Sequence, residues 1–228
     1  MTVDIVTGST SNHLVALEQA ADHDVEQYIH RQVVKPLSDL QQAASEAGFD
    51  LRVCSAFRSF ERQLSIWNAK ASGARAVMDN SGQPLDMASL DSWQKTQAIL
   101  RWSALPGASR HHWGTDFDIY DASAMPEGYQ IKLIPEEVQG DGLFAPMHNW
   151  LDQYIQSGST GFYRPYEFDT GGIAPERWHI SYRPLADQYL DILTTDVVAD
   201  KLQESELILM DTVMEHLDEI YNRYILVE

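Results

Sequence analysis

Basic residues are scarce in this chain: 16 Lys and Arg stand against 34 Asp and Glu, a net charge of −18 over 228 residues. A field of that sign repels phosphate backbones and anionic bilayers, so nucleic acid is not an expected partner. Cysteine is nearly absent. The single Cys54 excludes an internal disulfide, and its setting in LRVCSAF reads as a buried strand position rather than a reactive thiol. No apolar run approaches the roughly 20 residues of a spanning helix, so no membrane span is expected. The opening MTVDIVTGSTSNH lacks the basic start and apolar centre of a signal peptide. As written, the chain is therefore expected to be cytoplasmic. Internal repeats, low-complexity runs, a phosphate-binding Gly-rich loop, a nucleophile elbow and a CxxC pair are also missing.

What is present is material for a core. With 44% hydrophobic and 10% aromatic residues, the chain reads as one globular domain. Leu14, Leu17, Ala21, Val25, Tyr28 and Ile29 recur at helical spacing, which predicts an amphipathic helix over 12–30, with His13, His23 and His30 as solvated or capping side chains. A second helix is expected from Pro36 to a stop at Gly48, then a strand from Leu51 to Phe57. Ser59 is placed to cap a helix over Phe60–Ala69. Residues 70–90 read as a long loop and Ser92–Ser103 as a helix. The stretch 121–146 reads as a loop-rich insertion with room for one short strand. His148–Ile155 is expected to be a helix carrying His148 on its surface, and Phe162–Tyr166 a strand. Beyond residue 185, eleven acidic residues against two basic ones carry half the net charge. There Leu209, Met210, Val213, Met214, Leu217, Ile220, Tyr221 and Tyr224 form a helical stripe with a solvated acidic face.

The chemistry concentrates in PGASRHHWGTDFDIYD, Pro106 to Asp121, which holds two of only eight histidines. Gly114 supplies a tight turn, and the residues after it alternate as a half-buried strand. Phe117 and Ile119 would face the core, leaving Asp116, Asp118 and Tyr120 on an open face toward which the turn brings His111. In APERWHISYRP, Trp178, Ile180 and Tyr182 would face the core and His179 the other side. His111, Asp118 and His179 then make a two-nitrogen, one-oxygen set with a fourth position for water, the composition of a catalytic zinc site. His112 competes with His111 for the first place. Glu176 would be the general base, provided that a turn at Pro175–Arg177 aims it at the site. Asp116 would read a cationic group or orient a ligand histidine from behind. Arg58, between a strand end and a helix start, is placed to hold an oxyanion or grip a carboxylate.

The pattern SxHxxGxxxD at Ser109, His111, Gly114 and Asp118, followed by ExWH at Glu176–His179, resembles the zinc D-alanyl-D-alanine carboxypeptidases of the VanY type. That group also includes D-Ala-D-Ala dipeptidases, lysostaphin-type peptidases and the hedgehog domain. SAFRSFERQLSIW at Ser55–Trp67 and GFYRPY at Gly161–Tyr166 are similar to two further segments of the family, so the likeness covers about residues 36–183. The resemblance implies an α+β single domain with a central, mainly antiparallel sheet and flanking helices; the helical stripe beyond it makes 185–228 a helical C-terminal extension. It favours His111 over His112 and makes Arg58, Gln63 and Ser109 substrate-binding residues, with Arg58 and Glu176 catalytic. Zn2+ is the implied cofactor and a peptidoglycan stem peptide the implied partner, trimmed of its C-terminal D-alanine. That substrate sets the cell envelope or periplasm against a cytoplasmic location. A small apolar residue is commoner where this chain has Asp116. Four alternatives stand beside this reading: a D-Ala-D-Ala dipeptidase, an L,D-carboxypeptidase, a wall endopeptidase, and a zinc-containing binding module without catalysis. A metal-free structural domain is the plainest reading, and metal analysis separates it from the rest.

Overall fold

The computed structural model describes residues 2–18 and 26–226. In chain order these form α1 (Thr2–Val6), β1 (Leu14–Ala16), β2 (Tyr28–His30), α2 (Val34–Glu46), β3 (Leu51–Ser55), α3 (Phe60–Ala71) and α4 (Ser92–Leu100). There follow β4 (Asp116–Asp121), α5 (Pro135–Val138), α6 (Ala145–Gln156), β5 (Phe162–Tyr163) and β6 (His179–Tyr182). The chain closes with α7 (Arg183–Ile192), α8 (Thr195–Gln203), α9 (Met210–Glu215) and α10 (Leu217–Ile220). The architecture is α+β, with an antiparallel sheet in the order β3-β4-β6-β5 and helices around it.

Local signals account for most boundaries. Pro36 is the third residue of α2, and Gly48, at φ 93°, ends that helix where a side chain would be strained. Ser59 caps α3 by accepting from the Arg62 amide at 3.2 Å. Asp91 and Gln94 form a reciprocal capping box at the start of α4, which stops at Leu100 rather than Ser103. One face of the sheet packs Val53, Phe117, Ile119 and Ile180, all within 1% of full burial, against the helices. Each such side chain contributes roughly 1.5–3 kcal/mol.

Several expectations are corrected here. Among the described residues of 12–30 there is no helix. Leu14 pairs with His30, Val15 with Ile29 and Ala16 with Tyr28 in a separate antiparallel ladder, while Ala21, His23 and Val25 lie outside the described residues. Of the apolar positions behind that expectation, Leu14 and Ile29 are buried, one on each strand, while Tyr28 is exposed. Of the solvated and capping alternatives, His30 takes the second, capping the 3₁₀ turn Arg31–Val33 while buried, and His13 is buried rather than solvated. His30 accepts from the Gln32 amide at 3.1 Å and pairs with Tyr189 Oη at 2.9 Å. Residues 121–146 contain the short helix α5 and no strand. Glu137 organises that insertion, accepting from Tyr129 Oη at 2.7 Å and from the Lys132 and Leu133 amides at 2.9 and 2.8 Å. The insertion folds over one end of the sheet, so Tyr120 and Trp178 meet Val138 and Phe144 in a second small core instead of lying on an open face or beside Ile180. β5 stops at Tyr163.

The acidic C-terminal segment is less of a solvated appendage than its charge suggests. Leu185, Ala186, Leu193, Val198, Leu202, Val213, Leu217 and Ile220 join the main core, and Trp67 Nε1 donates to the Ile208 carbonyl at 2.9 Å. No helix among the described residues is long and apolar enough to cross a membrane.

Gly114 holds the turn into β4 at φ 67°. A Cβ there would stand 2.5 Å from Leu14 Cδ2 and 2.9 Å from the His30 amide nitrogen. Gly114→Ala therefore combines left-handed strain with a backbone clash, and an equilibrium urea titration is expected to show a loss on the order of 2 kcal/mol or more. An unchanged midpoint would contradict this account of the turn.

Candidate metal centre

The register of the sheet builds the site. In the β4–β6 ladder Asp118 lies directly opposite His179, and Asp116 opposite Ser181. Cross-strand neighbours share a face, so the carboxylate of Asp118 and the imidazole of His179 meet without any loop excursion. The third group arrives from the 3₁₀ turn Arg110–Trp113, which Gly114 redirects into β4. That turn is fastened to the end of β3: the Arg58 amide donates to the His111 carbonyl at 3.0 Å, and His112 Nδ1 donates to the Arg58 carbonyl at 2.6 Å.

His111, Asp118 and His179 each present one ligand atom, and the three lie within 4.8 Å of one another. His111 Nε2 is 3.5 Å from Asp118 Oδ2, and His179 Nδ1 is 3.2 Å from Asp118 Oδ1. Two donors about 2.1 Å from a tetrahedral ion stand about 3.4 Å apart, so these spacings suit one small divalent cation. The hydrogen bonds at the far side of each ring settle the tautomers. His111 Nδ1 donates to the Ala56 carbonyl at 2.8 Å, leaving the Nε2 lone pair free. His179 Nε2 donates to Asp116 Oδ1 at 3.1 Å, leaving the Nδ1 lone pair free. Asp118 Oδ1 and His179 Nδ1 are buried without a hydrogen-bond partner. Unsatisfied buried polar atoms are costly, and a cation between them removes the cost. The residues present therefore fit a zinc ion.

Electrostatics agree with this arrangement. Burial opposes ionisation of Asp118, but the facing His111 and His179 rings and Arg58 hold its carboxyl down at about 2. Burial lowers His111 to about 4, against the pull of Asp118. Burial also disfavours a charge on His179, yet the carboxylates of Asp116 and Asp118 outweigh it and raise the ring to about 9, so without a cation Nδ1 carries a proton at neutral pH, and metal binding displaces it to free the lone pair. With both carboxylates ionised, the pocket is strongly disposed toward positive charge.

Glu176 stands at the mouth, with 18% of its side chain exposed and Oε2 3.8 Å from His179 Nδ1. The turn that puts it there spans Glu176–His179, closed by the His179 amide donating to the Glu176 carbonyl at 2.9 Å; its bend falls at Arg177–Trp178 rather than Pro175–Arg177. The Glu176 amide is tied to the Tyr166 carbonyl at 2.9 Å. Burial, with Asp118 adding to it, pushes the Glu176 carboxyl up to about 7 despite His179 and Arg58. Arg58 is half-buried and its Nη1 donates to Gln63 Oε1 at 2.9 Å.

Some expected site residues stand elsewhere. Gln63 is fully buried, spanning Arg58 and the Ala104 carbonyl, to which Nε2 donates at 2.6 Å. It holds Arg58 in place and offers no free amide to a ligand. Ser109 is 1% exposed, immediately before the His111 turn. His112 spends both ring nitrogens on the backbone, Nε2 accepting from the Gly107 amide at 3.1 Å, and is no rival ligand. His148 is wholly buried beside Arg164, not on the surface of α6. Asp116 faces no solvent: it is fully buried behind His179, with Arg110 Nε donating at 2.8 Å. Cys54 donates to the Asp118 carbonyl at 3.3 Å, and burial pushes its thiol pKa up.

Two residues were missed. Arg110 neutralises Asp116, and Arg177 ties the Glu176 turn to α6 through Asn149 and Asp152 at 2.7 and 2.5 Å. Asp116 was expected on an open face, where it needs no buried cation, so no cue in the sequence pointed to Arg110, and nothing in it marked Arg177.

Substitution separates the two neighbouring histidines. His111→Ala and Asp118→Ala are expected to lose stoichiometric zinc on dialysis and metal analysis. His112→Ala is expected to keep it while losing about 1–3 kcal/mol of stability through orphaned backbone groups. Zinc loss in His112→Ala with zinc retained in His111→Ala would reverse the assignment.

Comparison with known proteins follows the same lines. An uncharacterized protein of Haemophilus influenzae is 47% identical over 105 residues, covering 46% of this chain and 70% of the relative. The fold matches that of the LdcB LD-carboxypeptidase, with a TM-score of 0.54 and 20% identity over 90% of this chain and 78% of the other. A vancomycin resistance D,D-pentapeptidase VanY solved in complex with Zn(II) gives a TM-score of 0.48 and 23% identity, over 90% of this chain and 92% of that one. The family model described as VanY, D-alanyl-D-alanine carboxypeptidase, matches residues 26–185. That match spans β2 to the start of α7, with all four site segments inside it, and the chain belongs to the VanY D-alanyl-D-alanine carboxypeptidase family.

Proposed function

We propose that this protein is a zinc-dependent D,D-carboxypeptidase that removes the C-terminal D-alanine from peptidoglycan stem peptides. The observation that carries the reading is a carboxyl group held near a pKa of 7, Glu176, within 4 Å of a buried His-Asp-His cluster. A general base works best with a pKa near the operating pH. A metal-free scaffold has no use for such a group beside two buried ligand atoms without a hydrogen-bond partner, and a binding module has no use for a proton acceptor.

When bound by His111 Nε2, Asp118 and His179 Nδ1, zinc supplies Lewis acidity, polarising a carbonyl and acidifying water toward neutral pKa. The residues of the chain do the rest. Glu176 Oε2 takes the proton of the attacking water and returns it to the leaving amine nitrogen, so one carboxyl serves both halves of the hydrolysis. Arg58, with Nη1 fixed on Gln63, directs its remaining donors to negative charge, either the oxyanion of the tetrahedral intermediate or the terminal carboxylate of the peptide. Asp116 keeps the His179 proton on Nε2 throughout.

Incubation of zinc-loaded protein with stem peptides, followed by mass spectrometry, tests the proposal. A pentapeptide ending in D-Ala-D-Ala is expected to lose one alanine, and the tetrapeptide product to resist further trimming. Glu176→Gln should retain zinc and lose turnover by at least about 100-fold, the usual scale of a general base. Release of a dipeptide, trimming of the tetrapeptide, or internal cleavage would reassign the activity within the family. Normal turnover by Glu176→Gln would remove Glu176 from the mechanism.

A further inference from the structure

Behind His179, on the side away from the converging lone pairs, lies a second buried charge pair. Arg110 is 3% exposed and immediately precedes the ligand His111. Its Nε donates at 2.8 Å to Asp116 Oδ1, the same oxygen that accepts His179 Nε2–H at 3.1 Å. Nη2 donates to Ser181 Oγ on β6 at 2.8 Å and to Tyr163 Oη on β5 at 2.6 Å. The guanidinium carbon lies 4.7 Å from the centroid of the Trp113 ring. Thr115 Oγ1 donates to the other Asp116 oxygen at 2.7 Å, so the carboxylate is held from three directions and is fully buried.

We propose that Arg110 is a positioning residue for the metal centre, acting through Asp116 on the orientation of His179. An imidazole bonded to a mobile carboxylate can rotate out of line with the ion. Here the planar guanidinium fork fixes Oδ1 against both β5 and β6, and the oxygen in turn fixes the ring plane of His179. Because Arg110 and His111 are adjacent in one 3₁₀ turn, the same contacts set the spacing between the two ligand histidines. An ammonium group is a compact point charge that cannot reach Asp116, Ser181 and Tyr163 together in this planar geometry. Arg110→Lys therefore keeps the charge and loses the alignment.

This inference rests on the reading of His111, Asp118 and His179 as metal ligands, and its test separates the two. Zinc affinity of the full chain is measured by chelator competition for wild type, Arg110→Lys, Arg110→Met, Asp116→Asn and the Arg110→Met/Asp116→Asn double variant. Cobalt(II) absorption spectra report ligand geometry, and far-UV circular dichroism of the metal-free proteins checks folding. Each single variant is expected to weaken zinc by about 10- to 100-fold, and the double variant by no more than the worse single one. The cobalt band is expected to change in Arg110→Lys. If the Arg110 or Asp116 variants do not fold, Tyr163→Phe, which removes one acceptor, is expected to weaken zinc by about 2- to 10-fold. Folded variants that bind zinc within about twofold of wild type, or effects that multiply in the double variant, would reduce Arg110 to a fold-holding charge. Failure of the wild type to bind zinc would instead remove the metal reading, and this inference with it.

Discussion

Three lone pairs pointing at one another in a buried place are what the rest of the structure accommodates. His111 Nε2, Asp118 and His179 Nδ1 converge within 4.8 Å, and the other nitrogen of each ring is already committed. Left alone, such a cluster costs free energy: its carboxylate is desolvated and two of its atoms have no hydrogen bond. A divalent cation turns the same cluster from a liability into a point of attachment, so metal affinity and folding are coupled here.

Convergence depends on backbone features more than on the ligands themselves. The antiparallel register sets Asp118 against His179, and a one-residue slip would send one of them to the core face. Gly114 lets the chain reverse between His111 and β4 while β1 and β2 press against it. Glu176 enters through a four-residue turn anchored on Tyr166 and, through Arg177, on α6. Each catalytic candidate is thus held by an element that also packs the core, which keeps the separation between base and ligands fixed.

Much of this was legible from residue order. Alternation after Gly114 placed Phe117 and Ile119 in the core and Asp118 on the site face, and the alternation of His179 and Ile180 did the same for β6. The motifs then pointed to a family that the match over residues 26–185 bears out. What was not legible is long-range. Periodicity could not tell a helix over 12–30 from two short strands, because pairing of Leu14 with His30 is decided by contact with Gly114 and Tyr189. It could not show that residues 121–146 fold over Tyr120, which makes an apparently open strand face a buried one. Gln63 carries the same motif signal as a surface site residue, and His112 offers the same side chain as the ligand beside it, yet their hydrogen bonds to Ala104, Gly107 and Arg58 are inward. Burial of that kind depends on partners distant in sequence.

The central claim is that one divalent ion is bound through His111 Nε2, Asp118 and His179 Nδ1 with Glu176 beside it. Anomalous diffraction at the zinc edge, from crystals grown with zinc, addresses it directly. The account predicts a single strong peak coordinated by those atoms, with the Glu176 carboxylate facing the remaining coordination position. A peak bound through His112 or through His179 Nε2, or no peak between Asp118 and His179, would contradict it.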